Sequence, residues 1–207
     1  MSSSTKTLER WNRKLHFYLG LYFLFFLWLF SLTGLMLNHG DWRMSRAANG
    51  RTESRYDRLV NAPAGATELD RIKDVMRQLG LVGEIDVPAQ PPGWLVFNTS
   101  RPGDANTVRV NLAQGMASVQ QFDNNHWARF RILHTFSGSR YNQPASQRDW
   151  ILTSVWVFAM DALSAGLIVM ILGGYYMWWR IKPKHALGLL SLAAGMACCV
   201  WFVLGWF

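Results

Sequence analysis

A run of 22 residues without a single charge lies between His16 and His39, and it constrains this chain more than any other feature. A helix of that length rises roughly 33 Å at about 1.5 Å per residue, which matches the hydrocarbon thickness of a bilayer. The run is longer than the apolar segment of a signal peptide, so we expect it to be retained. We therefore predict a transmembrane helix over residues 15–39, with a histidine near each end.

Two further apolar runs follow near the end of the chain. Residues 150–179 carry one charge, Asp161, and residues 187–207 carry none. Basic residues cluster before the first run and between the last two, which predicts that both short segments face the cytoplasm by the positive-inside rule. The predicted organisation is a cytoplasmic N-terminus (1–14), transmembrane helix 1 (15–39), a polar domain on the far side of the membrane (40–123), an interfacial helix and loop (124–149), transmembrane helix 2 (150–179), a cytoplasmic turn (180–186) and transmembrane helix 3 (187–207).

The composition agrees with a membrane protein that carries a polar domain. Half of the residues are hydrophobic, yet the mean hydropathy is only +0.04, so lipid-facing segments must alternate with polar ones. The polar domain has no cluster of basic and aromatic residues, and we expect no nucleic-acid partner. Cys198 and Cys199 are adjacent within the third apolar run, which predicts neither a disulfide framework nor a metal site.

The polar domain shows the pattern of a small α+β unit. Residues 43–66 are rich in Arg, Ala and Gly and predict an extended arm. Thr67 is the expected N-cap of a helix, with Asp70 as its capping-box partner and Gly80 as its stop. The apolar face of this helix is formed by Leu69, Ile72, Met76 and Leu79. Alternating residues then predict a meander of three strands, over 94–99, 107–112 and 116–122.

Residues 124–137 (NNHWARFRILHTFS) predict a helix that lies at the membrane surface. Its apolar side holds Trp127, Phe130, Leu133 and His134. Arg129 and Arg131 lie elsewhere on its circumference. Tryptophan and arginine beside an apolar face are typical of interfacial helices.

The predicted topology brings four of the five histidines to the membrane boundaries. His16 and His185 meet at the cytoplasmic boundary, and His39 and His134 meet at the outer one. Neutral imidazole is the usual axial ligand of haem iron. We interpret these histidines as candidate axial ligands for one or two haem b groups. The alternative interpretation is an ordinary solvated imidazole at the level of the lipid headgroups.

Glycines one turn after a histidine favour the haem interpretation, because a larger side chain would collide with a porphyrin lying on the helix. Gly20 follows His16 at this spacing, and Gly138 follows His134. Haem propionates are carboxylates, for which arginine is a suitable partner. The candidate partners near His134 are Arg129, Arg131 and Arg140.

The first span, RKLHFYLGLYFLFFLWLFSLTGLMLNH, resembles the opening helix of the PepSY-associated transmembrane proteins, and RILHTFSG resembles the periplasmic segment before that family's return helix. The resemblance implies a bacterial inner-membrane protein with a periplasmic PepSY unit, which is a small α+β module. Some members are haem-binding reductases that remove iron from siderophores. The resemblance supports His16, His39 and His134 as haem ligands, whereas His185 depends on the topology alone. This chain differs from larger members in having only three spans.

Asp161 interrupts the second predicted span, where an apolar residue would be expected. One interpretation is structural: the carboxylate pairs with Arg148 or another cation, or forms a hydrogen bond inside the bundle. The other is a role with protons or haem propionates, since carboxylates in membranes are costly and often functional.

Three functions are consistent with these observations. The first is a b-type haem protein that transfers electrons, as a ferric or siderophore-iron reductase or a subunit of one. The second is a haem-free accessory protein whose PepSY-like unit binds a periplasmic partner. The third is a structural subunit of a homo-oligomer or a larger membrane complex. We find no nucleotide-binding domain, so a reductase would take its electrons from quinone or from another protein.

Overall fold

Three long apolar helices dominate the computed structural model, which describes residues 3–138, 148–180 and 185–204. They are α1 (Ser3–Asn38), α5 (Ile151–Arg180) and α6 (His185–Val203), and each is long and apolar enough to cross a membrane. The prediction of three such helices is confirmed. The first begins at Ser3 rather than Leu15, because the polar N-terminal residues continue the same helix. Three predicted features, Arg140, the basic residues of 181–184 and the end of the third span, lie outside the described residues.

The chain forms two compact units, one of Met1–Phe26 with Met160–Phe207 and the other of Leu27–Ala159. In the first unit α1 and α5 pack antiparallel. Glu9 accepts a hydrogen bond from Nε of Arg180 at 2.7 Å, and Nδ2 of Asn12 donates to the carbonyl of Gly173 at 3.0 Å. Later residues of α1 therefore contact earlier residues of α5, as antiparallel packing requires.

Glycines on α5 allow this close approach of the two helices. A Cβ at Gly166 would overlap the ring of Phe23, which is only 4% exposed. Between membrane helices, small residues provide contact area because lipid supplies no hydrophobic driving force. The third helix, α6, buries none of its described side chains.

The second unit contains a five-stranded antiparallel sheet. Its strands are β1 (Arg51–Leu59), β2 (Glu84–Asp86), β3 (Trp94–Arg101), β4 (Asp104–Asn111) and β5 (Met116–Asn124), in the order β1-β5-β4-β3-β2. Side chains alternate between the two faces of a sheet, and one face is covered by α3 (Glu68–Leu79). The core between them is formed by Ile72, Val75, Met76, Leu79, Ile85, Leu95, Phe97, Val108, Val110, Ala117 and Val119.

The predicted helix α3 is confirmed with its caps. The Thr67 hydroxyl accepts a hydrogen bond from the Asp70 amide at 3.1 Å, and the Asp70 carboxylate accepts one from the Thr67 amide. Gly80 ends the helix with a φ of +72°, a left-handed conformation that glycine adopts without strain. Leu69, predicted on the buried face, lies at its edge and is 36% exposed.

The sheet is larger than the sequence predicts. Residues 43–66 are not simply an extended arm: they form a short helix, α2 (Arg43–Ala47), and then the edge strand β1, which pairs with β5. Eight of the nine residues of β1 are exposed, so it lacks the alternation of apolar residues that marks a half-buried strand. The three-residue strand β2 is too short to produce a periodic pattern.

Gly166→Ala should destabilise the α1–α5 pair, because the new methyl group collides with the ring of Phe23. Overpacking of this kind costs about 1–3 kcal/mol. Thermal unfolding of the purified protein in detergent measures the loss. Gly195→Ala on α6 is the matched control, because its Cβ would have no atom within 4 Å, and equal stability of the two variants would contradict the packing described here.

The protection of the α3 backbone amides from hydrogen exchange should decrease in acid. The hydroxyl and amide of Thr67 lower the pKa of Asp70, and the Ala64 amide with the Gln78 side chain lowers that of Asp74. Because both carboxylates have a lower pKa when folded than when unfolded, their contribution is present at neutral pH and is lost as the pH falls below about 4. Hydrogen exchange of the α3 amides at pH 7 and pH 3 measures the effect.

Asp70→Asn with Asp74→Asn should lower this protection at pH 7 and reduce its dependence on pH. Glu68→Gln is the control, since the Glu68 side chain forms no hydrogen bond within the described part of the chain. An unchanged acid dependence in the double variant would show that these two carboxylates are not responsible.

Candidate functional site

The helix that carries His134 is held in place by α2. This helix is α4 (His126–Thr135), and Asn125 is its N-cap. The side-chain oxygen of Asn125 accepts a hydrogen bond from the Ala128 amide at 2.9 Å. Nδ2 of the same residue donates to the carbonyl of Ala47 at 2.6 Å, and Arg131 donates to Oδ1 of Asn49 at 2.9 Å. The last residue of α2 thus holds the start of α4, and Asn49, just after α2, holds its middle.

The C-terminal end of α4 is fixed by α1 through His134. Its Nδ1 lies 2.7 Å from the hydroxyl of Thr33, which is fully buried. The ring stands edge-on to Phe30, with 5.1 Å between centroids. The imidazole also lies against the α1 backbone at Gly34, where a Cβ would be in ordinary van der Waals contact with Cε1 at 3.6 Å.

The Thr33 hydroxyl determines which nitrogen of His134 carries the proton. A hydroxyl has one proton to donate, and Oγ1 of Thr33 lies 2.7 Å from the carbonyl oxygen of Leu29, which can only accept. The hydroxyl therefore accepts from His134, and Nδ1 of the imidazole is the protonated nitrogen. Nε2 keeps its lone pair and forms no hydrogen bond with any described residue. This is the arrangement of a metal-binding histidine, whose other nitrogen is held by a hydrogen bond.

His39 lies at the end of α1, beyond Thr33. Its ring stacks on Trp42 with 4.2 Å between centroids. Six residues of helix separate it from Thr33, a rise of about 9 Å. The predicted partner of His134 is thus displaced along the helix, and the contacts of the His134 ring are with Phe30 and Thr33 instead.

His16 and His185 occupy different environments in the first unit. Nδ1 of His16 is buried and has no hydrogen-bond partner among the described residues, and its Cε1 lies 4.0 Å from the Cβ position of Gly174. His185 stacks on Trp179, and its Nε2 lies 2.9 Å from the carbonyl oxygen of the same residue. A carbonyl only accepts, so Nε2 of His185 carries the proton and Nδ1 carries the lone pair.

The two glycines predicted to make room for a porphyrin have other neighbours in the structure. A Cβ at Gly20 would lie 3.6 Å from the terminal methyl group of Met170 on α5. Gly138 has a φ of +65°, and a Cβ there would overlap Thr153. Backbone conformation and the contact with Thr153 thus account for glycine at 138, whereas a methyl group at position 20 would make only an ordinary van der Waals contact with Met170.

The two predicted propionate partners lie apart from each other. Arg131 is bound to Asn49, as described above. Arg129 donates to the Asn124 carbonyl at 3.1 Å and lines a cavity of about 390 Å³ together with Arg101 and Leu133. Arg101 is already paired with Asp104, so Arg129 is the more available guanidinium of this cavity. Asp161 lies on the exposed side of α5.

Glu84 is a buried carboxylate whose structural contacts sequence analysis does not predict. Its side chain is 1% exposed and accepts hydrogen bonds from the amides of Asp149 at 3.0 Å and Trp150 at 3.2 Å. These amides immediately precede α5, where a negative charge is favourable to the helix dipole. Lys73 of α3 pairs with the Asp149 carboxylate at 3.1 Å. The sheet domain is therefore bonded directly to the start of α5.

Comparison with known proteins gave no match: no family model, no curated protein and no solved structure is significantly similar to this chain. Within residues 3–138, 148–180 and 185–204, no three side chains among His, Cys, Asp and Glu form a group that could hold a bare metal ion. The Thr33–His134 pair is accordingly the best-defined candidate site, because it presents a single oriented imidazole.

Thr33→Val should remove the preference for a proton on Nδ1 of His134 while leaving the side-chain volume nearly unchanged. A neutral hydrogen bond contributes about 1 kcal/mol net, which corresponds to a roughly fivefold change in the ratio of tautomers. The ¹⁵N chemical shifts of selectively labelled histidine measure this ratio, and His134→Gln assigns the signal. Thr33→Ser keeps the hydroxyl and should retain the native shifts; identical shifts in Thr33→Val would refute the assignment.

Proposed function

We propose that this chain is a PepSY-associated transmembrane protein of the bacterial inner membrane that binds haem b through His134 and transfers electrons. Its N-terminus faces the cytoplasm and its sheet domain faces the periplasm. The proposed reaction is reduction of ferric iron, as a siderophore-iron reductase or as a subunit of one.

One observation carries this proposal: Nε2 of His134 has a free lone pair, and the opposite ring nitrogen is held by Thr33. The donor therefore fits haem iron, which neutral imidazole binds through one nitrogen. The hydrogen bond to Thr33 orients the ring, as the outer partners of metal-binding histidines do. Bound haem supplies one-electron chemistry, which the amino-acid side chains at this site do not provide.

The other candidate residues, which belong to both units, differ in how well each suits haem. His16 supports a second haem site, because its buried Nδ1 lacks a hydrogen bond. His185 fits less well, since its Nε2 is engaged by Trp179 and only Nδ1 is left. Arg129 is suited to a propionate, whereas Arg131 is held by Asn49.

The charge distribution supports the proposed orientation. The N-terminal end of α1 and the C-terminal end of α5 meet through Glu9 and Arg180, and both ends carry the basic residues that favour the cytoplasmic side. The sheet domain follows the other end of α1. The proposed electron donor is quinone or a separate protein, and the lipid bilayer is the proposed surrounding of all three apolar helices.

The purified protein in detergent should have a Soret band that shifts on reduction with dithionite. His134→Ala should remove or strongly weaken the band of the haem that it ligates, because no other described imidazole contacts the Thr33 site. His126→Ala is the matched control on the same helix and should leave the spectrum unchanged. A colourless protein after expression with sufficient haem, or an unchanged spectrum in His134→Ala, would overturn the proposal.

A second function, as a structural subunit of a membrane complex, is favoured by α6. None of its described side chains is buried, and Gly195 has open space beside it. Helices of this kind pack on other membrane helices through their small residues. A colourless protein that is purified in a stable oligomer would support this function in place of the first.

A further inference from the structure

The face of the sheet opposite α3 carries an arrangement that the proposed electron transfer does not use. Antiparallel pairing places Arg55 beside Gln120, and Gln120 beside Thr107. Two residues further along the strands, Ser118 lies between Asp57 of β1 and Arg109 of β4. Residues paired in this way point to the same face of a sheet. Both arginines are exposed.

Two cavities on this face share the side chain of Arg109. The first has a volume of about 240 Å³ and is lined by Arg55, Thr107, Arg109, Ser118 and Gln120. The second has a volume of about 370 Å³ and is lined by Pro88, Ala89, Pro91, Trp94, Val96 and Arg109. One guanidinium therefore stands at the boundary between a polar cavity and an apolar one.

The polar cavity has hydrogen-bond donors that are not used inside the protein. Its lining contains two guanidinium groups and no carboxylate. The guanidinium groups of Arg55 and Arg109 form no hydrogen bond or ion pair with another described side chain, and neither does the hydroxyl of Ser118. The other two lining residues are engaged: Thr107 donates to Asn98, and Gln120 donates to Glu53.

The apolar cavity has one planar side chain in its wall. Trp94 is 41% exposed, and small apolar residues surround it. An indole binds rings by stacking, and the apolar residues beside it add area that a ligand buries. The cavity is thus complementary to a planar apolar group, and the polar cavity to an anion.

We propose that this face binds a small organic carboxylate with a planar apolar group, and we name it the Arg55–Arg109 site. The carboxylate lies in the polar cavity, where arginine forms charge-assisted hydrogen bonds with both of its oxygens. The planar group lies against Trp94. The inference goes beyond the proposed haem function and does not depend on it.

Titration calorimetry of the full chain in detergent, with naphthalene-2-carboxylate as the probe, tests the site; heats from empty micelles are subtracted. We expect saturable binding of one probe per chain. Arg55→Gln and Arg109→Gln should each weaken binding about tenfold, as expected for loss of a charge-assisted hydrogen bond. Arg58→Gln is the matched control, because Arg58 is exposed on the same strand but pairs with Ala117 on the opposite face.

The neutral analogue naphthalene-2-carboxamide separates recognition of the anion from partition into apolar surface. It should bind at least tenfold more weakly than the acid. Equal binding of the two probes, no saturable binding of the acid, or equal effects of Arg109→Gln and Arg58→Gln would overturn the inference. The haem spectrum is recorded on the same samples, so that failure of this site and failure of the haem proposal are told apart.

Discussion

The hydrogen bond between Thr33 and His134 joins the parts of this protein on which its proposed chemistry depends. It connects the first apolar helix to α4, and α4 is in turn connected to α2 and β5. The bond has a direction, because the only proton of the Thr33 hydroxyl is directed to the Leu29 carbonyl one turn earlier. A threonine that bonds back to its own helix is usually a minor feature of that helix. Here it leaves the oxygen available to hold an imidazole in one tautomer.

Glu84 similarly holds the start of α5, the second apolar helix, by accepting hydrogen bonds from backbone amides. A carboxylate buried to this extent needs partners, and the amides of Asp149 and Trp150 are two that need an acceptor before the helix begins. Within the second unit, α1 and α5 are therefore each held by a specific polar contact, Thr33 to α4 in one case and Glu84 to the amides before α5 in the other. Polar contacts of this kind fix register more sharply than apolar packing, which tolerates sliding.

The parts of the structure that local rules govern could be predicted from the sequence. The capping box of Thr67 and Asp70 lies within four residues, and the three apolar helices are recognisable from length and hydropathy alone. The strand β1 was missed because its place in the sheet is set by pairing with β5 at a distance of some seventy positions, while its own side chains remain exposed. The Thr33–His134 contact is similarly non-local. The predicted topology places His39 and His134 near the same end of α1. Which residue of α1 contacts His134 depends on its position around the helix, and topology does not specify that position.

The two edges of the sheet have a consequence for self-association. An edge strand offers unpaired backbone groups to a neighbouring chain, and exposed charges on it make such addition unfavourable. In β1 three arginines and two acidic residues interrupt the edge at close intervals, and at the other edge β2 has only three residues. Copies of this protein are thus discouraged from merging their sheets into a continuous ribbon, and the exposed side chains of the apolar helices are the surfaces left for contact between them.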